Sequence, residues 1–233
     1  MAREVARADD KSFLPSSLAL GSVRTLEAQH ADLVAQHCRR FPEDARVGAD
    51  TSDALAQVHG YLRIHRGANL CDFDVGNRGQ DTSMQQIYLC LRSGMTHAAL
   101  KAAEFVRAQN RLEGTTSFAH LIQTWAEKRA LTESEHLAMI SKECCSSLRR
   151  RQYSTDEHSY RAVVLAVLSG HSDLVTRICN EIPDMFTKIE DFLWFRMNTC
   201  DAVAGSTGQG DRFRHVQSPF SSFGARTVCM RIS

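Results

Sequence analysis

The sequence predicts an all-α protein, built as an α-solenoid of stacked antiparallel helical hairpins. Two stretches, 87–96 and 163–172, each run from an apolar segment into Ser-Gly and restart on a hydroxyl residue two positions later. Residues 43–182 contain no proline, the strongest helix breaker. The two-residue alternation of a half-buried strand is absent throughout. Together these observations favour helical hairpins over a sheet.

Composition narrows the class of protein. The chain has 233 residues, a formal charge of +1 and 43% hydrophobic residues, which is ordinary for a globular protein. The charge does not indicate nucleic acid as a direct partner, and no apolar run reaches the ~20 residues of a transmembrane segment. The N-terminus does not resemble a secretory signal, and the eight cysteines form no CxxC pair. We therefore expect reduced thiols, with no bound metal and no cofactor.

The first elements are less regular than the rest. We expect residues 1–21 to be a flexible lead-in, because a helix pattern begins only at Ser22. That helix is predicted to end before Pro42, and its apolar face comprises Val23, Leu26, Leu33 and Val34. A second helix is predicted to open at Thr51 or Ser52, and residues 67–82 have the Asn, Asp and Gly content of a loop.

The two Ser-Gly turns predict the hairpins. Helices are expected at about 83–93 and 97–109 around the first turn, and on both sides of the second. Gly94 and Gly170 suit the left-handed position that closes a helix. Thr96 and Ser172 suit the N-cap that opens the next one.

Three further helices follow from periodicity. Residues 115–129 carry Trp125 at apolar spacing, a capping box at 132–135 precedes the next helix, and a last helix starts near Ile189. Trp125 and Trp194 are expected to be buried between hairpins. The solenoid is thus expected to span residues 22–200, whereas 201–233, rich in Gly, Ser and Arg, is expected to be an irregular, disordered tail.

Catalytic interpretations of the sequence are weak. Ser169, His171, Ser172 and Asp173 are adjacent in the chain, whereas a catalytic triad converges from separate positions. Cys144-Cys145 lies at helical spacing, where one thiol is expected to be buried and the other half-exposed. We predict no catalytic residues, no cofactor-binding or metal-binding residues and no small-molecule substrate. An enzyme would require a pocket and a nucleophile such as Cys144 beside a histidine.

Two surface features leave alternatives open. Arg149-Arg150-Arg151 ends a predicted helix and is most simply a partner for the helix dipole, although an anion-binding patch, a nucleic-acid patch or a localisation signal would have the same composition. The surroundings of Phe192 and Phe195 are most simply core, although solenoids also bind linear segments in apolar grooves.

Three segments, in this order and spacing, resemble the nucleoporin interacting component family, the α-helical scaffold nucleoporins of the inner ring of the nuclear pore. The segments are 88–94 (YLCLRSG), 159–163 (SYRAV) and 190–198 (EDFLWFRMN), similar to the family's YYCLRCG, YKRAV and DYLWLKL. Tyr61-Leu62-Arg63 also fits the helix ahead of the first motif, so the resemblance covers about residues 51–199. The motif positions that we single out as structural are Tyr88, Leu91, Gly94, Tyr160, Arg161, Gly170, Asp191, Leu193 and Trp194.

The resemblance implies a coatomer-related solenoid that acts without catalysis. It implies localisation at the nuclear pore complex of the nuclear envelope, other inner-ring nucleoporins as partners, and a role in pore assembly and in transport of protein and mRNA. Family members are several times longer, so we expect a divergent or truncated member. The alternative is a helical-repeat adaptor unrelated to the pore.

Overall fold

A computed structural model describes residues 2–47, 53–66, 82–109, 118–128, 134–150 and 156–198, without the side chains of 2–19 and of a few helix-end residues. These residues form α-helices and one short 3₁₀ turn, Pro183–Met185, and contain no strand. The helices are α1 (Ala2–Arg40), α2 (Pro42–Ala45), α3 (Ala54–Arg66), α4 (Ser83–Arg92), α5 (Thr96–Gln109), α6 (Phe118–Lys128), α7 (Ser134–Arg150), α8 (Asp156–Ser169), α9 (Ser172–Glu181) and α10 (Ile189–Asn198). The predicted all-α class is confirmed.

Two helices, α4 and α8, form the centre of the fold. Every residue of α4 is buried, and so is every residue of α8 from Ala162 to Ser169. A helix that is buried all round must be covered on all sides, and here α4 packs against α5 and α8, while α8 packs against α7 and α9. The two Ser-Gly hairpins, α4–α5 and α8–α9, are therefore stacked through their first helices.

The outer helices close around this centre. Helix α1 contacts α3, the short α2, α4 and α10, so helices at opposite ends of the described chain lie side by side. Among the largest fully buried side chains are Trp125 of α6 and Trp194 of α10, each with 0% exposure. The predicted burial of both tryptophans is confirmed.

The turn between α4 and α5 is a Schellman motif. The Gly94 amide donates to the Leu91 carbonyl at 3.0 Å, and the Met95 amide donates to the Cys90 carbonyl at 2.8 Å. This pattern requires a left-handed residue at its centre, and Gly94 has φ +66°. The prediction for this glycine is confirmed.

The turn between α8 and α9 reaches a similar shape by a different set of bonds. Gly170 has φ +62°, as predicted. The Ser169 hydroxyl donates to the Ala166 carbonyl at 2.8 Å and accepts from the His171 amide at 3.1 Å. A serine side chain thus takes the place of one backbone bond of the Schellman motif.

The predicted N-caps are displaced by one or two residues. Thr96 and Ser172 are the first residues of α5 and α9, and the N-cap of α9 is His171, which makes no side-chain cap bond. Ser172 was therefore wrong as a cap, because the extended conformation needed there lies one residue earlier. Helix α3 opens at Asp53, whose Oδ1 accepts from the Leu55 amide at 3.1 Å, rather than at Thr51 or Ser52.

Helix α1 starts much earlier than the sequence pattern indicated. It begins at Ala2, so the predicted start at Ser22 was wrong, whereas the flexibility expected of residues 1–21 stays a prediction. Gly21 is a residue type that often lies at a helix boundary. A glycine within a helix, however, lowers helix stability by only about 1 kcal/mol relative to alanine and does not by itself end the helix. The buried face also differs, since Glu27 and Cys38 are buried whereas Leu33 is half-exposed.

Some predicted features lie outside the described residues. These are the tail 201–233, the loop 67–81, the capping box at Thr132 and Glu133, and Arg151.

Candidate functional site

The Arg92 side chain is buried and has partners on two other helices. Arg92 is the last residue of α4 and is only 2% exposed. Its Nε donates to Asp191 Oδ1 at 2.8 Å, its Nη1 donates to the Leu26 carbonyl at 2.7 Å, and its Cζ lies 5.5 Å from the Trp194 ring centre. One cation therefore joins α1, α4 and α10.

Glu27 of α1 contacts the same tryptophan. It is 5% exposed, and its Oε1 accepts from the Trp194 indole nitrogen at 3.3 Å. Its side chain also lies against the α4–α5 turn, since a Cβ at Gly94 would be 3.0 Å from Glu27 Oε2. We call Glu27, His30, Arg92, Asp191 and Trp194 the polar node.

His30 attaches α1 to the same turn. A hydrogen bond of 2.7 Å joins His30 Nδ1 and Ser93 Oγ. Burial, followed by repulsion from Arg92 and Lys188, lowers the pKa of His30 to about 3. The imidazole is therefore neutral at physiological pH and adds no charge to the polar node.

An aromatic layer extends from the polar node to α8. The Tyr88 ring lies 6.0 Å from that of Trp194 and 5.5 Å from that of Tyr160. The Tyr160 hydroxyl accepts from Gln85 Nε2 at 3.1 Å. Burial raises the pKa of Tyr88, so its hydroxyl stays protonated. The three motifs, which are up to 110 residues apart in sequence, are contiguous here.

A second long-range bond ties α8 to the beginning of α4. Glu157 Oε1 accepts from the Met84 amide at 3.0 Å, in the first turn of α4. The first amides of a helix have no partner within the helix, and a carboxylate there also offsets the helix dipole. The side chain that stabilises the start of α4 thus comes from the neighbouring hairpin.

The other motif residues lie apart from the polar node. Arg161 pairs with Glu143 of α7 at 2.8 Å and covers the Phe118 ring of α6 at 5.4 Å. Leu91 is in the core, Leu193 is half-buried, and Gly170 is at the second turn. The motif residues therefore take part in three separate packing contacts, and they do not line one pocket.

The Phe192 and Phe195 surroundings form part of the core. Phe195 has 0% exposure and its ring stacks on Phe186 at 4.7 Å. Phe192 meets the same Phe186 edge-on at 6.2 Å. Phe195 therefore belongs to the core, and the partly buried Phe192 packs against it.

The cysteine alternative for catalysis has no support in the geometry. Cys144 is buried, its thiol contacts the Ala162 carbonyl at 3.6 Å, and burial raises its pKa to about 12. A thiol held in this state is not a nucleophile at neutral pH. Cys145 beside it is half-exposed, as predicted.

The described part of the chain contains neither a metal-binding cluster nor a membrane-spanning helix. No group of three or more His, Cys, Asp or Glu side chains there could hold a metal ion. None of the helices it contains combines the length and apolar character needed to span a membrane.

Comparison with known proteins agrees with the motifs. The model of the Nup93/Nic96 family matches residues 2–228. Two Arabidopsis thaliana proteins, nuclear pore complex proteins NUP93A and NUP93B, are 28% and 30% identical to this chain over 198 residues. That alignment covers 82% of this chain and 22% of each relative, so the chain spans about a fifth of their length. No solved structure matches. Because the match extends over nearly the whole sequence, this chain belongs to the Nup93/Nic96 family.

Proposed function

We propose that this chain is a structural constituent of the nuclear pore complex, located at the nuclear envelope, that acts as a helical scaffold without catalysis. The observation that carries the proposal is the family match over residues 2–228, together with relatives named as nuclear pore complex proteins. In this role the chain supports pore assembly and nucleocytoplasmic transport of protein and mRNA. Its partners are other nucleoporins of the inner ring.

The polar node supplies what a scaffold needs, which is a fixed relation between distant helices. Arg92 and Glu27 hold α1 against α10, and buried polar contacts of this kind are satisfied in one arrangement only. A slipped α1 would break the hydrogen bond of Arg92 to the Leu26 carbonyl and that of the Trp194 indole to Glu27, and a buried hydrogen bond to a charged group contributes about 1.5–3 kcal/mol. The node therefore favours one shape of the helical stack over its alternatives.

A helical-repeat adaptor outside the pore is the weaker candidate. It would explain the hairpins equally well, but it would not explain why the three motifs occur in family order. Membership of a nucleoporin family favours the pore.

The proposal is tested by expressing the full chain with a fluorescent tag in plant cells and imaging the nuclear envelope. We expect a punctate nuclear rim, and co-purification with inner-ring nucleoporins. Arg92→Gln should reduce both signals, whereas Arg24→Gln, at an exposed position of α1, should leave both unchanged. A diffuse signal with no rim and no nucleoporins in the purified material would contradict the proposal.

A further inference from the structure

Helix α7 has one face in the core and the opposite face in solvent. Its buried residues lie on one stripe against α8, and they are Ile140, Cys144, Ser147 and Leu148. Over residues 138–150, the exposed side chains are those of Ala138, Lys142, Arg149 and Arg150. Within residues 138–150, every charged group on this outward face is therefore a cation. We call Lys142, Arg149 and Arg150 the α7 basic face.

The one carboxylate of that stretch is already committed. Glu143 pairs with Arg161 of α8 at 2.8 Å, where the two charges offset each other. On the other flank, Arg177 of α9 pairs with Glu181 and also donates to Cys145 Sγ at 3.0 Å. The ion pairs along both edges are thus balanced, and the α7 basic face keeps its positive charge.

The helix dipole does not account for this charge. The last turn of an α-helix carries the equivalent of about half a negative charge. Arg149 and Arg150 place two full positive charges there, and Lys142 lies two turns away, beyond the reach of the dipole. Burial, followed by repulsion from Arg161 and Arg150, lowers the pKa of His158, which agrees with an excess of positive potential at this end of α7.

We propose that the α7 basic face binds an acidic, extended segment of a partner protein. Lys142 and Arg149 are two helical turns apart, or about 10 Å along the axis. An extended chain covers that distance in three or four residues, so carboxylates at this spacing would meet both positions. The arginines would bind carboxylates in the two-pronged manner that their planar groups favour.

Two other anionic partners fit the surface less well. Binding of single-stranded RNA relies on aromatic side chains that stack with bases, and residues 138–150 contain none. Attachment to an anionic membrane relies on apolar groups that enter the lipid, and the exposed large hydrophobic residues among those described are Phe41 and Ile189, neither of which is on α7. The proposed binding of an acidic segment depends on α7 alone, so it would hold whether or not the chain is incorporated into a pore.

The test measures binding of a fluorescein-labelled peptide of about 12 residues, in which glutamates alternate with serine and glycine, by fluorescence anisotropy at low salt. The full chain is compared with two triple variants of equal charge. One removes the α7 basic face (Lys142→Gln, Arg149→Gln, Arg150→Gln), and the control removes exposed cations elsewhere (Arg24→Gln, Arg39→Gln, Lys101→Gln). Circular dichroism of both variants verifies that the helices are retained.

We expect the first variant to bind the peptide about tenfold more weakly and the control to bind it like the parent chain. Equal loss in both variants would overturn the proposal, since it would mean that only net charge matters. Failure of the parent chain to bind the peptide would overturn it too. So would tighter binding of an oligouridine RNA, or of vesicles of phosphatidylcholine and phosphatidylserine, with the same loss in the first variant.

Discussion

Arg92 and Asp191 form a buried ion pair between residues 99 positions apart in the chain, with Nε and Oδ1 2.8 Å from each other. The arginine side chain is 3% exposed and the aspartate side chain 19%. Each belongs to a different family motif, Arg92 to the turn that closes α4 and Asp191 to the first turn of α10. The pair joins these two motifs in the folded chain.

Removal of the Arg92 cation should destabilise the fold strongly. In Arg92→Gln the Asp191 carboxylate loses its partner and the Leu26 carbonyl loses its donor, so we expect the free energy of unfolding to fall by about 3–5 kcal/mol. Urea unfolding followed by circular dichroism measures this. Asp191→Asn should cost less, about 1–2 kcal/mol, because its side chain reaches solvent and the amide still accepts a hydrogen bond.

The double variant distinguishes pairing from simple packing. If the two groups act as a pair, Arg92→Gln with Asp191→Asn should cost less than the sum of the single changes. Additive losses would contradict the pairing. Arg24→Gln serves as the control and should change stability by less than about 0.5 kcal/mol, because Arg24 is exposed.

The two turn glycines allow a matched comparison. Both have positive φ, so alanine at either should cost about 1 kcal/mol in backbone strain. At Gly170 a Cβ would meet nothing within 4 Å, whereas at Gly94 it would lie 3.0 Å from Glu27 Oε2 and 3.2 Å from Glu27 Cβ. Gly94→Ala should therefore cost more than Gly170→Ala, by about 1–2 kcal/mol. Thermal or urea unfolding measures the difference, and equal losses would mean that α1 moves away from the turn easily.

Trp194 combines packing with a polar contact, and two substitutions separate them. Trp194→Ala should reduce the free energy of unfolding by about 3–5 kcal/mol, since the side chain has 0% exposure. Trp194→Phe retains most of the apolar contact with Tyr88 but removes the indole donor to Glu27, so about 1–2 kcal/mol is expected. The denaturant midpoint of each variant tests this. A loss below 1 kcal/mol for alanine would show that α10 is not held against α1 as described.

Much of the fold follows from local sequence. Glycine at a helix end, the hydroxyl residues around it and apolar spacing at three and four residues are determined by backbone sterics and burial, which act over a few positions. This is why Gly94, Gly170 and the two tryptophans were placed correctly. Periodicity did not predict that the motif residues Tyr88, Tyr160 and Trp194 lie together in the fold. The family resemblance identified them as a set.

The polar node could not be predicted from hydrophobic periodicity. Glu27 and Arg92 count as surface residues in any apolar pattern, yet both are buried, because their polar atoms have partners on other helices: Arg92 donates to the Leu26 carbonyl, and Glu27 accepts from the Trp194 indole. Leu33 fits the apolar face of α1 but is half-exposed. The side of α1 that packs on Gly94 and Trp194 is the side that carries Glu27. Only knowledge of which helices are neighbours reveals that such charged residues are buried.

Stability should decrease on mild acidification because of His30. Its folded-state pKa of about 3 lies below the 6.5 of the unfolded chain. As the pH falls below 6.5 the unfolded chain takes up a proton that the folded protein does not, so the free energy of unfolding declines, on the order of 1 kcal/mol per pH unit, until the folded pKa is reached. Above pH 6.5 the ring is neutral in both states and contributes no pH dependence. Urea unfolding between pH 4.5 and 7.5, which is largely above the titration of ordinary carboxylates, covers the relevant range.

Burial also lowers the pKa of His59 and His65, so the parent chain should show a steeper decline than one histidine explains. The difference between the parent and His30→Gln isolates this residue, because the free energy of unfolding of the variant should show a shallower decline, by about one proton. Identical slopes for the parent and His30→Gln would mean that the ring is protonated in the folded state and that α1 is not docked on Ser93 through a neutral imidazole.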